Sequence, residues 1–173
     1  MPISPYLKTL REKVGTDLLV LPSTSVIIFR DDGRFALLKV PGKDAWMMVG
    51  GFVEPFEHPA DSAAREAWEE IGLDVELTHL IGVFGGPEGE VVYDHGDRVS
   101  YVSTVFGARI RGGVVKVDGD EAEDAGWFTP DEAREMRLTS LTRTVLSHLQ
   151  ADPGPAAFIP ARWRPSADHR PSG

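Results

Sequence analysis

The chain has 173 residues, 42% of them apolar, and a formal charge of −9, which is enough length and apolar content for one domain with its own core. It has no cysteine, which excludes disulfides, thiol catalysis and thiolate metal sites. Its acidity provides no field that draws in nucleic acid, and no apolar run is long enough to span a membrane.

Met1 to Leu10 has no basic stretch followed by an apolar one, so no secretory signal is expected and the cytoplasm is the default compartment. Ser4-Pro5 reads as a helix cap and first helical position. Tyr6, Leu7, Leu10 and Val14 then follow helical spacing up to Gly15, which predicts an amphipathic helix over 5–14. That helix would suit a homodimer contact.

Strands follow. Ser23 to Phe29 is β-branched and apolar, Asp31-Asp32-Gly33 is a turn signal, and Phe35 to Val40 is the second arm of a hairpin. Trp46 to Val53 reads as a third strand, broken at Gly50-Gly51 by a bulge or a close backbone approach. A helix is then expected from Pro59 to Gly72. Its stripe of Ala60, Ala63, Ala64, Ala67, Trp68 and Ile71 should dock, leaving Glu66, Glu69 and Glu70 on another arc facing a cleft.

Asp74 to Phe84 reads as strand and Gly85 to Asp97 as an acidic, polar loop suited to selecting a substrate. Ser100 to Arg109, Val114 to Val117 and Asp124 to Phe128 are further strands. A helix starts at Pro130, and another runs from Thr139 to Leu149. Residues 1–150 therefore form one domain, and 151–173 a tail rich in proline and arginine. Arg162, Arg164 and Arg170 in that tail are candidates to meet phosphate only if it is ordered. The pattern fits an α+β or α/β sandwich.

The glutamates carry the chemistry. Like charges at i,i+3 and i,i+4 each weaken a helix by roughly 0.2–0.5 kcal/mol, and Glu69 and Glu70 lie in the last turn, where the helix dipole disfavours anions. A cation resolves both costs. Mg²⁺ takes oxygen ligands and is typically held by a few carboxylates together with substrate phosphates. Glu66 and Glu70 lie one turn apart and can converge on an ion. Glu69 beside them can bind a second ion or take a proton from water. A carbonyl of the diglycine can add a ligand. Such ions would neutralise phosphate charge and lower the pKa of a bound water, which points to hydrolysis of a phosphoanhydride. The competing reading, a solvated helix face, leaves the charge crowding unexplained.

The spacing is Gly51, five residues, Glu57, seven residues, Arg65-Glu66-Ala67, one free position, Glu69-Glu70, another free position, then Gly72-Leu73. This resembles the Nudix box of the Nudix hydrolase family, which cleaves nucleoside diphosphates linked to another moiety. The resemblance implies an α/β/α sandwich with a mixed β-sheet in which the box forms a loop-helix-loop. It implies Glu66 and Glu70 as main metal ligands, Glu69 as ligand or base, and the Gly50 carbonyl as backbone ligand. Glu57 and Arg65 match an ion pair that holds the loop to the helix. Glu121, six residues before Trp127, matches a further acid that binds metal or acts as base, with Asp120, Glu123 and Asp124 competing for that role.

Three positions depart from the family's usual pattern: Val49 for proline, Phe56 for glycine, and Ala67 for a larger aliphatic. Phe56 puts a bulky side chain beside the phosphate loop, where it would narrow or line the site. Trp46, Trp68 and Trp127 are expected in the core, with Trp46 a lesser candidate to touch a base. His58 is expected at a helix start and His95 in a solvated loop. The implied activity is Mg²⁺- or Mn²⁺-dependent pyrophosphohydrolysis of a nucleotide-type small molecule, ADP-ribose or a nucleotide sugar being favoured over a nucleoside triphosphate. The rival is a Nudix-fold module that senses a nucleotide without turning it over.

Overall fold

The computed structural model describes residues 4–93, 95–117, 119, 122–149 and 154–157. Ser4 caps α1 (Pro5–Val14), its Oγ accepting from the Leu7 N–H at 3.2 Å. The first strands are β1 (Leu19–Phe29), β2 (Phe35–Lys39), β3 (Trp46–Met47) and β4 (Val49–Phe52). Then come α2 (Pro59–Ile71), β5 (Leu73–Phe84), β6 (Glu90–Val92), β7 (Arg98–Gly113) and β8 (Asp124–Phe128). The last helices among the described residues are α3 (Pro130–Arg134) and α4 (Ser140–Ser147). No helix among the described residues is long and apolar enough to cross a membrane.

The strands form one mixed sheet in the order β3-β2-β1-β7-β5, with β4 added to β1, β6 to β7 and β8 to β2. β1 runs parallel to β7 from Leu19↔Val99 to Phe29↔Arg109, while β2, β4, β5, β6 and β8 pair antiparallel with their neighbours. Because side chains alternate along a strand, each face of β1 builds its own core. Val26 and Ile28 pack with Ala63, Ala67 and Ile71 of α2. Ile27 packs with Phe35, Val105 and Val145 on the side of α3 and α4. Leu21 meets Leu7 of α1 and Val99. Helices on both faces of a mixed sheet make the expected α/β/α sandwich.

Several element expectations need correction. Trp46 to Val53 is two strands, because the Met48 N–H leaves the ladder and donates to Thr142 Oγ1 of α4 at 3.1 Å. Val114 to Val117 is not a strand. Gly113, at φ 92°, turns the chain away from β5, and the Lys116 N–H donates instead to the Ile71 carbonyl at the end of α2. The segment from Gly85 to Asp97 contains a short 3₁₀ turn (Pro87–Gly89) and β6. Within the expected irregular tail, the Ala157 N–H donates to the Ile81 carbonyl at 2.7 Å.

Trp68 is also corrected, since it is 60% exposed while Glu66 and Glu70 are 1% and 2% exposed. At about 100° per residue, Ser62, Glu66, Glu70, Ala63, Ala67 and Ile71 span one continuous arc. Trp68 falls just past its edge. The buried face of α2 therefore carries two carboxylates, and the tryptophan is left in solvent.

Candidate active site

The site is built on α2 and the loop before it. His58 caps the helix through Nδ1, which accepts from the Ala60 N–H at 3.4 Å, and Pro59 takes the first position. Gly72 closes it in the left-handed conformation at φ 72°, its N–H donating to the Trp68 carbonyl at 3.0 Å. His58 is thus occupied as a cap. The helix is anchored to β1 where Thr24 Oγ1 donates to Ser62 Oγ at 3.1 Å, and to β4 where Ser62 Oγ donates to the Phe52 carbonyl at 3.3 Å. Neither Ser62 nor Thr24 stood out in the sequence. The one signal for Ser62 is a small hydroxyl placed one turn before Glu66, and Thr24, on β1, has none.

Arg65 organises the carboxylates. Its Nε donates to Glu57 Oε1 at 2.8 Å and its Nη2 to Glu57 Oε2 at 3.0 Å, a two-pronged contact. Nη2 also donates to the Phe52 carbonyl at 3.1 Å. Nη1 reaches both Glu66 Oε1 and Glu69 Oε2 at 2.8 Å. The surrounding carboxylates hold the guanidinium well above its ordinary pKa, with the hydrogen bond to Glu57 the largest cause. In return the Arg65 hydrogen bond, ahead of the backbone bond from Glu54, holds the Glu57 carboxyl below the usual value. The same arginine ties Glu57, eight residues back, to the helix and gives the acid crowd its internal counter-charge.

The acids divide into two kinds. Glu66 and Glu70 are buried, and Glu70 Oε2 accepts from the Gly50 N–H at 2.7 Å. The Glu69 side chain is 55% exposed and its described contact is Arg65. The three do not share one surface: Glu66 and Glu70 face the sheet, and Glu69 faces outward. Gly50 lies so close to β1 that an added Cβ would sit 2.2 Å from the Thr24 carbonyl oxygen. The Gly50 contact with Glu70 runs through the N–H, and the bare backbone is what permits it.

The remaining candidates have other partners or lie elsewhere. Glu123 Oε1 accepts from the Gly42 N–H at 2.7 Å, and Asp124 Oδ1 from the Ala125 N–H at 2.8 Å. Asp120, Glu121 and the tail arginines 162, 164 and 170 lie outside the described residues. Trp46 packs edge-on to Phe128, and Trp127 lies under Arg30 at 5.3 Å. The 85–97 segment connects to the site through aromatic rings. Tyr93 and Tyr101 share a hydroxyl hydrogen bond of 2.6 Å, and Tyr101 packs on Phe52, 5.3 Å between ring centres. Burial pushes the Tyr101 hydroxyl well above its ordinary pKa.

Among the described residues, no three acids or histidines converge as a ready metal cage. The donor set nonetheless fits a hard divalent ion of the Mg²⁺ type, which is usually bound by one or two carboxylates plus substrate phosphates and not by an all-protein cage. Glu66 and Glu70, buried one turn apart on the same arc, are such a pair.

The model of the NUDIX domain family matches residues 20–149. A MutT-like protein of Streptomyces ambofaciens is 32% identical over 113 residues, covering 65% of this chain and 66% of that protein. An ADP-ribose pyrophosphatase of Methanocaldococcus jannaschii is 34% identical over 104 residues, covering 58% of this chain and 57% of that protein. The match spans less than two thirds of either relative's length. Among solved structures, a MutT NUDIX hydrolase from Burkholderia pseudomallei superimposes with a TM-score of 0.63 at 28% identity, covering 76% of this chain and 99% of that one.

Proposed function

The chain belongs to the NUDIX family, and from that premise we propose that it is a divalent-metal-dependent hydrolase of the phosphoanhydride bond in a nucleoside diphosphate linked to another moiety. The observation that carries this reading is the burial of Glu66 and Glu70 on the sheet-facing arc of α2, beside the Gly50 backbone. Carboxylates are almost never fully buried without compensating charge, and Arg65, which donates to Glu57, Glu66 and Glu69 together, marks this helix as a place where carboxylates are gathered.

In this reading Glu66 and Glu70 would hold Mg²⁺ or Mn²⁺. When bound, the ion neutralises phosphate charge and lowers the pKa of water. The protein supplies position. The Glu57–Arg65 fork fixes the loop 53–58 against α2, and the Gly50 N–H orients the Glu70 carboxylate, in the way outer hydrogen bonds orient metal ligands. Glu69, exposed at the helix end, would accept a proton from water on exchanging its contact with Arg65. Glu121 remains the alternative base.

An ADP-ribose-like substrate is favoured. The Methanocaldococcus relative is named for that activity, and the acidity of the chain disfavours long polyanions. The test is release of nucleoside monophosphate from a panel of ADP-ribose, nucleotide sugars, nucleoside triphosphates and dinucleoside polyphosphates. The panel is run with Mg²⁺ or Mn²⁺ and with excess chelator. Metal-dependent release from one class supports the reading. Binding without release of any product favours the sensing module instead.

A further inference from the structure

The loop joining β4 to α2 contains a conformation its sequence does not favour. The Glu57 N–H donates to the Glu54 carbonyl at 3.0 Å, closing a four-residue turn with Pro55 and Phe56 at its centre. Phe56 has φ 69°, the one positive value among the described residues other than glycine. Proline followed by positive φ is the pattern of a type II turn, whose third position calls for glycine because a Cβ crowds the backbone there. A bulky aromatic in that conformation is a genuine outlier.

The turn cannot relax locally. Glu57 Oε2 accepts from the Glu54 N–H at 3.0 Å across the turn, and both Glu57 oxygens are gripped by Arg65. The phenyl ring gains nothing from folding, since Phe56 is 109% exposed. Two unfavourable features thus coincide at a residue next in sequence to Glu57, about 3.8 Å away between Cα atoms. Backbone strain of this kind collects at ligand clamps, and Glu57 is joined through the Arg65 guanidinium to Glu66.

We propose that Phe56 is a substrate-binding residue: its ring stacks on the nucleobase of a nucleotide whose diphosphate lies at Glu66 and Glu70. This rests on the functional reading above and adds to it the part of the substrate that is recognised. A phenyl ring offers a flat apolar face that suits any base and discriminates little between bases. It would thus select for a nucleoside and stay tolerant of which one.

The test compares wild type with Phe56→Gly and Phe56→Trp. Thermal unfolding is read first, then binding of ADP and of inorganic pyrophosphate with Mg²⁺ by calorimetry, then KM and kcat on the best substrate. Glycine should raise Tm by a few degrees, because the turn prefers it. It should weaken ADP binding about tenfold and leave pyrophosphate binding within twofold. KM should rise by more than kcat falls, and tryptophan should restore ADP affinity. A Phe56→Gly variant that gains stability and binds ADP as tightly as wild type overturns the proposal, as does a wild type that binds no ADP. Wild type that binds ADP through Phe56 but releases no product refutes the hydrolase reading while leaving this inference standing.

Discussion

The Gly50 N–H donates to Glu70 Oε2 at 2.7 Å, so the diglycine of β4 and the last turn of α2 are joined by one charge-assisted hydrogen bond across twenty residues of sequence. This contact brings a strand backbone without side chain up to a buried carboxylate.

Replacing Glu70 with glutamine keeps an oxygen for the Gly50 N–H and removes the negative charge. Turnover should fall by at least about a hundredfold with unchanged circular dichroism. A folded Glu70→Gln enzyme with wild-type turnover would show that this carboxylate is no metal ligand.

Gly50→Ala tests the approach itself. The new Cβ would lie 2.2 Å from the Thr24 carbonyl and 2.7 Å from Ser25 Cα, and both are backbone atoms of a central strand. Overpacking of this kind costs on the order of 2 kcal/mol. Urea unfolding should show a loss of that size, with activity lowered at temperatures where the variant is still folded. Unchanged stability would mean that β1 and β4 are spaced more loosely than described.

Arg65→Ala leaves Glu66 buried without its nearest guanidinium. Removing one partner of a buried ion pair costs about 3 kcal/mol or more, offset here by the partial exposure of Arg65 itself. Arg65→Lys keeps the charge but loses the fork to Glu57, and should fall between wild type and alanine. The check is equilibrium unfolding of all three in the same buffer. Equal stability of lysine and arginine forms would show that the two-pronged geometry is irrelevant.

The same pair sets a pH dependence. Glu57 titrates below its ordinary value of 4.5 because Arg65 stabilises its charged form. The unfolded chain therefore binds this proton first as pH falls, and the pair contributes fully above the ordinary value and is lost as pH drops through the lowered one. Wild type should lose stability faster than Glu57→Gln as the pH falls below the ordinary value of 4.5. Parallel Tm curves for the two proteins over that range would contradict the assignment.

Much of this was legible from residue order. Pro59 and Gly72 bracket α2 at the observed ends, because each is suited to its terminus by backbone chemistry alone. The spacing of Glu57 and Arg65 signalled their pairing through family resemblance. The docking face of α2 carries Ala63, Ala67 and Ile71 as the apolar stripe implies, but it leaves out Trp68 and takes in Glu66 and Glu70. A hydrophobicity stripe counts Trp68 as core and sets Glu66 and Glu70 on a separate arc facing a cleft, whereas the sheet beneath offers the Gly50 N–H, and Arg65 reaches Glu66 from the same helix. The Gly50 N–H across the sheet and Arg65 on the helix itself together make that arc acceptable for carboxylates. Phe56 departs from the glycine of the family pattern, but the positive φ it is held in shows only in the folded turn between Glu54 and Glu57.

The most direct test of the account is Mn²⁺ binding, followed by electron paramagnetic resonance, in wild type and in a Glu66→Gln/Glu70→Gln double variant whose fold is verified by circular dichroism. Wild type should bind the ion, and the double variant should bind it at least tenfold more weakly. A folded double variant that takes up Mn²⁺ as tightly as wild type would contradict the claim that these two buried carboxylates exist to hold a divalent cation.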